Sequence, residues 1–223
     1  MRTLGYLLAL FYSAVLAMAS EKSELKPMEL FNGRDLSHWS AVLAKPEARM
    51  EDVFSVSNGM IVCKGDPLGF IQTDKKFVNF RLVVEWRWAP GTKPGNSGVF
   101  LRINGPPSPL PRCLECQLKS GDAGDIYGFH GMKVDGDPAR RVEVRHHQLG
   151  GDFVGVKKRY ANENRPGQWN RFEIEIYGRD LTIKVNERVV NEAKDCEWVY
   201  GPIGLQSEGG EIHFRTVRVI PLQ

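Results

Sequence analysis

The chain has 223 residues, of which 42% are hydrophobic and 26% are charged. This composition is typical of a globular protein with a full core, and the length suits one large β-sandwich better than two small domains. The net charge is +3, and the basic residues are spread along the chain. That distribution argues against a nucleic-acid partner, which needs a basic stripe.

The N-terminus has the pattern of a secretory signal peptide. Arg2 precedes a mostly apolar run over residues 4–18, and Ala17 and Ala19 form an A-x-A cleavage site. The pattern predicts a signal peptide over 1–19 and a single mature domain over 20–223. A membrane anchor is the alternative, but the run is short for a span of about 20 residues. We therefore expect a secreted or periplasmic protein with no membrane span after cleavage.

The four cysteines fit an exported protein. They are Cys63, Cys113, Cys116 and Cys196, and an even number permits two disulfides. Cys113 and Cys116 lie on a predicted strand, where three residue steps separate their Cα atoms by about 10 Å, beyond the roughly 7 Å limit for a disulfide. A zinc site would need a second ligand pair. Pairing with Cys63 or Cys196, or no pairing, remains open.

Three consecutive runs alternate between apolar and polar residues, which predicts half-buried strands. They cover residues 80–88, 98–103 and 113–118, and glycine- and proline-rich turns separate them. Since successive side chains of a strand point to opposite faces, each run has one core face and one polar face. If the three strands are neighbours, the polar faces form one patch of Glu85, Arg87, Arg102, Glu115 and Gln117.

This patch has two interpretations. It is either a solvated sheet face with cross-strand ion pairs or a carbohydrate site. Trp88, Phe100 and Tyr127 flank it, and planar hydrogen-bonding groups beside aromatic rings match the hydroxyls and apolar faces of a sugar.

The later strands indicate a second sheet. Residues 172–177 and 181–185 alternate in the same way, and Asn186 and Glu187 predict a hairpin turn between 185 and 188. Their outward residues suit solvent, so we assign them to the opposite sheet. Arg215 and Thr216 break the alternation of the last strand, which predicts a β-bulge.

The order of these motifs resembles a known family. The chain is similar to the 3-keto-disaccharide hydrolase domain, earlier catalogued as unknown-function family 1080. The similarity covers essentially the whole mature chain, in LFNGRDLSHW (30–39), FRLVVEWRW (80–88), GNSGVFLR (95–102), LECQL (114–118), GQWNRFEIEIYG (167–178) and GPIGLQSEGGEIHFR (201–215).

The resemblance implies an all-β fold and action on sugars. The expected architecture is a two-sheet antiparallel jelly-roll sandwich like the concanavalin A-type lectins and glucanases, with one concave sheet. The expected substrates are glycosides already oxidised at C3. The chain departs from the family pattern at three positions. After the E-x-Q-x segment it has Lys119 where the family often has aspartate, and it has Glu187 in place of glycine and Glu208 in place of histidine. Its substrate could therefore differ from the family's named one.

The chemistry of a 3-keto sugar suggests roles for four residues. The ketone acidifies the C2 hydrogen, so a base can remove it and drive loss of the C1 substituent, with water added later. We assign Glu115 as base or acid, and Arg102 as the group that orients it or stabilises negative charge. Glu85 is the second carboxylate or an arginine's partner, and His130 is the second proton carrier. The expected sugar-binding residues are Gln117, Arg87, Trp88, Tyr127, Gln206 and Glu208.

The sequence leaves alternatives to this enzyme open. A non-catalytic, lectin-like carbohydrate-binding module would tolerate Glu115→Gln, and a protein-interaction domain would be indifferent to sugars. No cofactor is predicted. A divalent metal remains an option, because four aspartates in glycine-rich loops offer oxygen ligands or simply make turns: Asp122, Asp125, Asp135 and Asp137. Oligomeric state, sugar identity and linkage are not encoded in these patterns.

Overall fold

The computed structural model describes residues 22–223, which form a sandwich of two antiparallel sheets. This confirms the predicted all-β jelly-roll architecture. One short helix, α1 (Met50–Val53), and one 3-10 turn, Phe129–Gly131, interrupt the strands. The strands are β1 Met28–Glu29, β2 Trp39–Leu43, β3 Phe54–Ser57, β4 Met60–Cys63, β5 Gly69–Thr73, β6 Phe80–Trp88, β7 Gly98–Asn104, β8 Arg112–Gln117, β9 Ile126–Gly128, β10 Arg141–His147, β11 Gly151–Val156, β12 Asn170–Tyr177, β13 Asp180–Val185, β14 Arg188–Ala193, β15 Gly204–Ser207 and β16 Ile212–Pro221.

The two sheets divide the three predicted runs between them. The back sheet has the order β14-β13-β12-β6-β16-β4-β3, with β1 paired to β16. The front sheet has the order β10-β11-β9-β8-β7-β15-β5-β2. Strands β7 and β8 are neighbours, as a shared patch requires, but β6 lies in the opposite sheet, between β12 and β16. The segment 89–97 crosses from one sheet to the other, so β6 and β7 are sequential without being paired.

The apolar faces of both sheets meet in one core. On β6 the inward residues Leu82, Val84 and Trp86 are fully buried, and on β8 so are Leu114 and Cys116. The alternation in sequence therefore identified the core faces correctly, because each pleated strand buries every second side chain.

Trp88 also belongs to this core. It is 2% exposed and packs edge-on against Trp86, with ring centroids 6.3 Å apart. This position does not fit the sugar-binding role predicted for Trp88, because the indole is buried in the core between the two sheets.

Two local predictions about turns are confirmed. Asn186 and Glu187 turn the β13–β14 hairpin with φ of 46° and 69°. Such a pair of positive φ values is what a two-residue hairpin loop requires. The bulge in β16 lies at Arg215, where the register with β6 shifts between Phe214 and Thr216.

The four cysteines are buried free thiols in the described part of the chain. Cys113 lies on the outer side of the front sheet and Cys116 on the core side, as expected for residues three apart on a strand. Burial raises the pKa of Cys63 to about 11 and of Cys196 to about 12. The predicted signal peptide, residues 1–19, lies outside the described residues. Within 22–223, no helix combines the length and apolar character needed to cross a membrane.

Candidate functional site

The outer face of the front sheet brings together several predicted site residues. Glu115 on β8 is paired with Phe100 of β7 on one side and with Tyr127 of β9 on the other. Gln117 lies two residues further along β8 and therefore shares this face. We call this surface the front face. The alternation on β8 correctly predicted that Glu115 and Gln117 share a face, and Tyr127 of β9 lies beside Glu115 on that face.

Glu115 is the most unusual group of the front face. It is 1% exposed, its Oε2 lies 3.4 Å from Gln117 Nε2, and its Oε1 has no hydrogen-bond partner within 22–223. The carboxyl occupies the space above Gly98, where a Cβ would lie 2.3 Å from Oε1. Burial, with the nearby charges of Glu208 and Asp125, raises the pKa of Glu115 well above its ordinary value. This environment therefore favours the neutral, protonated form of Glu115 over the carboxylate.

A second carboxylate, Glu208, lies close enough to influence Glu115. It follows β15 and accepts a 2.7 Å hydrogen bond from Gln206 Nε2. Burial raises the pKa of Glu208, while hydrogen bonds from Gln206 and Asn96 and the charges of His147 and Lys119 oppose that rise. Glu208 is half-buried and Glu115 fully buried, so Glu208 is the more readily ionised of the two.

Three buried acceptors cluster around Gly98 without donors. They are Glu115 Oε1, Gln206 Oε1 and Asn96 Oδ1, none of which has a partner among the described residues. Asn96 lies two residues before Gly98, and the register of β7 with β15 places Gln206 beside Gly98. An unpaired buried acceptor costs about 1–3 kcal/mol, so such a cluster is a place for hydroxyl donors to bind.

A charged group borders this cluster on the β9 side. Lys157 Nζ donates to Asp125 Oδ2 at 2.8 Å and to the Tyr127 hydroxyl at 2.6 Å, and the Tyr127 hydroxyl donates to Asp125 at 3.2 Å. Burial raises the pKa of Tyr127 to about 12. An ammonium has three N–H donors, so Lys157 retains one for a ligand.

His130 lies in the 3-10 turn that directly follows β9 of the front sheet. Its Nε2 is 2.9 Å from the carbonyl oxygen of Leu110, and its backbone N–H donates to Gly150. Beside it the Tyr127 ring stacks on Phe129 with centroids 5.9 Å apart. The Leu110 carbonyl engages Nε2, so only the other ring nitrogen, Nδ1, is left for the proton transfer that was predicted for His130.

Glu85 and Arg87 are not part of this site, contrary to the prediction. Both lie on the outer face of the back sheet, because β6 belongs to that sheet. Glu85 accepts hydrogen bonds from Arg215 and Thr216, which lower its pKa. Arg87 lies over the Trp169 ring, 4.6 Å from its centroid.

Arg102 is also elsewhere, although it lies on β7. The register with β8 shifts between Leu101 and Asn104, and Arg102 has a φ of 53° at this bulge. The bulge turns the Arg102 side chain away from the front face. The side chain is fully buried and donates hydrogen bonds to the carbonyls of Val78, Gly178 and Glu197. Burial lowers its pKa to about 10. Arg102 therefore joins segments of the fold and does not orient Glu115.

The aspartate loops use their oxygens internally. Asp125 bonds to Lys157 and to the backbone N–H of Lys158, and Asp137 caps a turn at Ala139. Across 22–223, no three His, Cys, Asp or Glu side chains are grouped so that they could hold a metal ion.

Sequence reasoning missed three contributors to the site. Lys157 and Asn96 were not among the predicted site residues, and Gly98 was predicted only as the first residue of the strand run 98–103. The alternation on β7 could have placed Asn96 and Gly98 on the face of Phe100. Nothing local predicts Lys157, since its partners are 30 or more residues away.

Comparison with known proteins places the chain among carbohydrate-active proteins. A family model described as a 3-keto-alpha-glucoside-1,2-lyase-like domain matches residues 26–220. No curated protein gives a sequence match to the chain.

Solved structures share the fold at low sequence identity. A glycosyl hydrolase candidate from Parabacteroides distasonis has a TM-score of 0.62 at 18% identity, with 88% of this chain and 94% of that chain covered. Carbohydrate-binding module CBM66 from Bacillus subtilis has a TM-score of 0.56 at 14% identity, covering 81% and 94%. The kappa-carrageenase of Pseudoalteromonas carrageenovora, solved with an oligotetrasaccharide of kappa-carrageenan, has a TM-score of 0.58 at 10% identity, covering 95% and 100%.

Proposed function

Since the chain belongs to the 3-keto-alpha-glucoside-1,2-lyase-like domain family, we propose that it cleaves 3-keto-glycosides by acid–base chemistry on the front face. The observation that carries this proposal is the buried carboxyl of Glu115, whose Oε1 has no partner within 22–223, near the second carboxylate, Glu208. Two carboxyl groups whose environments differ are the usual means of providing an acid and a base at one site.

The first half-reaction needs a base at C2 and an acid at the glycosidic oxygen. The Glu208 carboxylate takes the C2 proton, and the electron pair moves onto the C3 oxygen as an enolate. The enolate collapses to a C1=C2 double bond conjugated with the ketone, and the C1–O bond breaks. Glu115 gives its proton to the departing oxygen, so one proton enters and one leaves the protein.

Lys157 is the candidate for stabilising the enolate. Its ammonium is held by Asp125 and Tyr127, with a third N–H available for the C3 oxygen. A positive group fixed in advance near developing negative charge lowers the barrier without reorganisation. Lys157 thus takes the role of stabilising negative charge that was predicted for Arg102.

The second half-reaction restores both carboxyl groups. Water attacks C1 and gives a proton to the ionised Glu115, while Glu208 returns a proton to C2. The net result is hydrolysis of the glycoside to a 3-keto sugar and a free alcohol. Gln117, Gln206 and Asn96 hold sugar hydroxyls in this scheme, since two of their side-chain oxygens lack partners in the described chain.

The decisive experiment compares oxidised and unoxidised substrates. The mature chain is incubated with 3-keto-glucosides and with the parent glucosides, and release of the alcohol is followed. We expect release from the keto compounds alone, because only they have an acidic C2 hydrogen. Equal release from both would reject the keto-specific mechanism.

A non-catalytic carbohydrate-binding module is the second candidate. The observation in its favour is the 1% exposure of Glu115, since a fully covered carboxyl need not transfer a proton. Absence of release from both substrate classes, together with measurable sugar affinity, would establish this function instead.

We also propose that the protein is exported, with cleavage of the signal peptide behind Ala19, as the pattern of residues 1–19 indicates.

A further inference from the structure

The front sheet ends in two edge strands of opposite character. At one edge, β10 exposes Arg141, Glu143 and Arg145, and charged side chains on an edge strand discourage pairing with another strand. At the other edge, β2 has the sequence WSAVL, which carries no charge. An uncharged strand edge with free backbone groups is a template on which a further strand can pair.

Both edges of the back sheet are protected. The segment after β11 covers β14, because the Arg159 N–H donates to the Val190 carbonyl at 2.8 Å. Strand β3 has four residues, and the N–H of Phe54 is already bonded to the Met50 carbonyl of α1. Short or covered edge strands offer few groups to a partner. Within residues 22–223, β2 is therefore the edge that stays open.

The pairing of β2 with β5 shows which backbone groups point outward. The N–H of Ala44, directly after β2, donates to the Leu68 carbonyl on the β5 side at 2.8 Å. Since every second residue of an antiparallel strand bonds to the same neighbour, the even-numbered residues of β2 face β5. The odd-numbered residues, Trp39, Ala41 and Leu43, direct their N–H and C=O groups away from the sheet. The N–H groups of Ala41 and Leu43 have no partner in the described chain.

An apolar groove lies beside these outward groups. It measures about 420 Å³, and its lining includes Trp39, Ala41, Leu43 and Met50, with Lys45 as its single charged residue. The β2 side chains that line it belong to the core or pack against it. The groove therefore offers apolar contacts to alternate side chains of a strand that pairs with β2.

We propose that β2 pairs antiparallel with β2 of a second copy of this chain, so that two front sheets join into one. A two-fold axis at Ala41, the middle residue of the strand, places Ala41 opposite its own counterpart and Leu43 opposite Trp39. The N–H of Ala41 then donates to the carbonyl of the other Ala41, and the N–H of Leu43 donates to the carbonyl of the other Trp39. The proposal is independent of the proposed function.

The self-complementarity of β2 favours a second copy over a different protein. The same axis places Ser40 opposite Val42, so no like charges meet within the paired strands. Trp39 of each copy lies across from Leu43 of the other, which continues the apolar row of the groove. Both front faces would lie on the same side of the joined sheet. Nine strand steps of about 4.8 Å put the two Glu115 positions roughly 43 Å apart along it.

The test measures the mass of the mature chain against its concentration by sedimentation velocity. We expect the wild type to shift from monomer to dimer between about 1 and 500 μM, because an interface of one strand and one groove is small. Ala41→Pro removes the central N–H, and proline is tolerated on a strand edge that faces solvent, so the monomer should keep its thermal unfolding midpoint. Its dimer dissociation constant should rise about tenfold or more.

Glu143→Pro is the matched control at the opposite edge. The Lys157 N–H donates to the Arg140 carbonyl, so the Glu143 N–H also points outward, from β10. This variant should form dimers as the wild type does, because β10 takes no part in the proposed pairing.

Ala41→Cys tests the register and does not depend on the folding of the proline variant. The two-fold pairing places the Cα atoms of the introduced thiols about 5.5 Å apart, within the range of a disulfide. Mild oxidation should give a covalent dimer of Ala41→Cys and leave Glu143→Cys monomeric on a non-reducing gel. A dimer that persists in Ala41→Pro, or equal cross-linking of both cysteine variants, would overturn the proposal. A wild type that stays monomeric throughout would also overturn it, and would leave the β2 edge to a strand of another protein.

Discussion

The outer faces of the two sheets contain the same kinds of side chain but differ in how those side chains are paired. On the back sheet, Glu85 accepts from Arg215 and Thr216, and the guanidinium groups of Arg87 and Arg215 lie against Trp169 at 4.6 and 4.4 Å. Charges there are neutralised by their neighbours and partly solvated, which is the arrangement of an ordinary sheet surface.

The front face is different because several of its polar side chains are buried while some of their oxygen atoms have no hydrogen-bond donor. Glu115 and Gln206 are each 1% exposed, and each has a side-chain oxygen without a donor in the described chain. Natural proteins rarely leave buried acceptors unpaired except where function requires it. The comparison shows that residue type identifies candidates, whereas pairing and burial separate a site from a surface.

We expect the largest effect when one carboxylate on each sheet is replaced in turn. We expect Glu115→Gln to lower kcat for a 3-keto-glycoside about 10²–10⁴-fold, the usual contribution of general acid–base catalysis. The amide keeps the shape of the acid, so sugar affinity by calorimetry should be retained. Glu85→Gln should change kcat no more than about twofold, because a partly exposed ion pair contributes little. Loss of turnover in Glu85→Gln alone would place the chemistry on the back sheet.

Replacing Arg102 tests whether this charged residue of the front sheet stabilises the fold without binding sugar. In Arg102→Met the carbonyls of Val78, Gly178 and Glu197 lose their buried donor, and we expect about 3 kcal/mol less unfolding free energy in urea. Sugar affinity should not change. The back-sheet control Arg215→Met should cost about 1 kcal/mol or less. A variant of Arg102 that keeps its stability and loses sugar affinity would contradict this assignment.

The smallest expected effect is a difference in pH dependence. The pKa of Glu115 is raised above 4.5, so the folded state holds a proton that the unfolded chain releases, and stability falls as pH rises above that value. The slope is at most about 1.4 kcal/mol per pH unit. The pKa of Glu85 is lowered by its hydrogen bond from Arg215, so its contribution is present above 4.5 and is lost as pH falls through the folded value.

Thermal unfolding between pH 3 and 9 distinguishes the two groups. Glu115→Gln should flatten the decline of stability on the alkaline side, and Glu85→Gln should flatten the decline on the acidic side. An unchanged alkaline limb in Glu115→Gln would mean that Glu115 is ionised in the folded protein, contrary to its burial.

Much of the fold followed from local patterns. The alternation over 80–88 and 113–118 assigned Leu82, Trp86 and Leu114 to the core, because every second residue of a strand points the same way. The Asn186–Glu187 turn and the bulge at Arg215 were likewise predicted from short-range sequence. The site was predicted in part, since Glu115, Gln117 and Tyr127 do share a face.

Periodicity and motif order were enough to predict that the chain forms strands, which face of most strands is buried, and which family the chain resembles. Three features came from long-range pairing alone: β6 lies in the opposite sheet, a bulge turns Arg102 away, and Glu208, Asn96 and Lys157 lie on the side of the front sheet that contains Glu115. Strand pairing joins residues far apart in the chain, and the two-residue alternation is the same whichever sheet a strand enters.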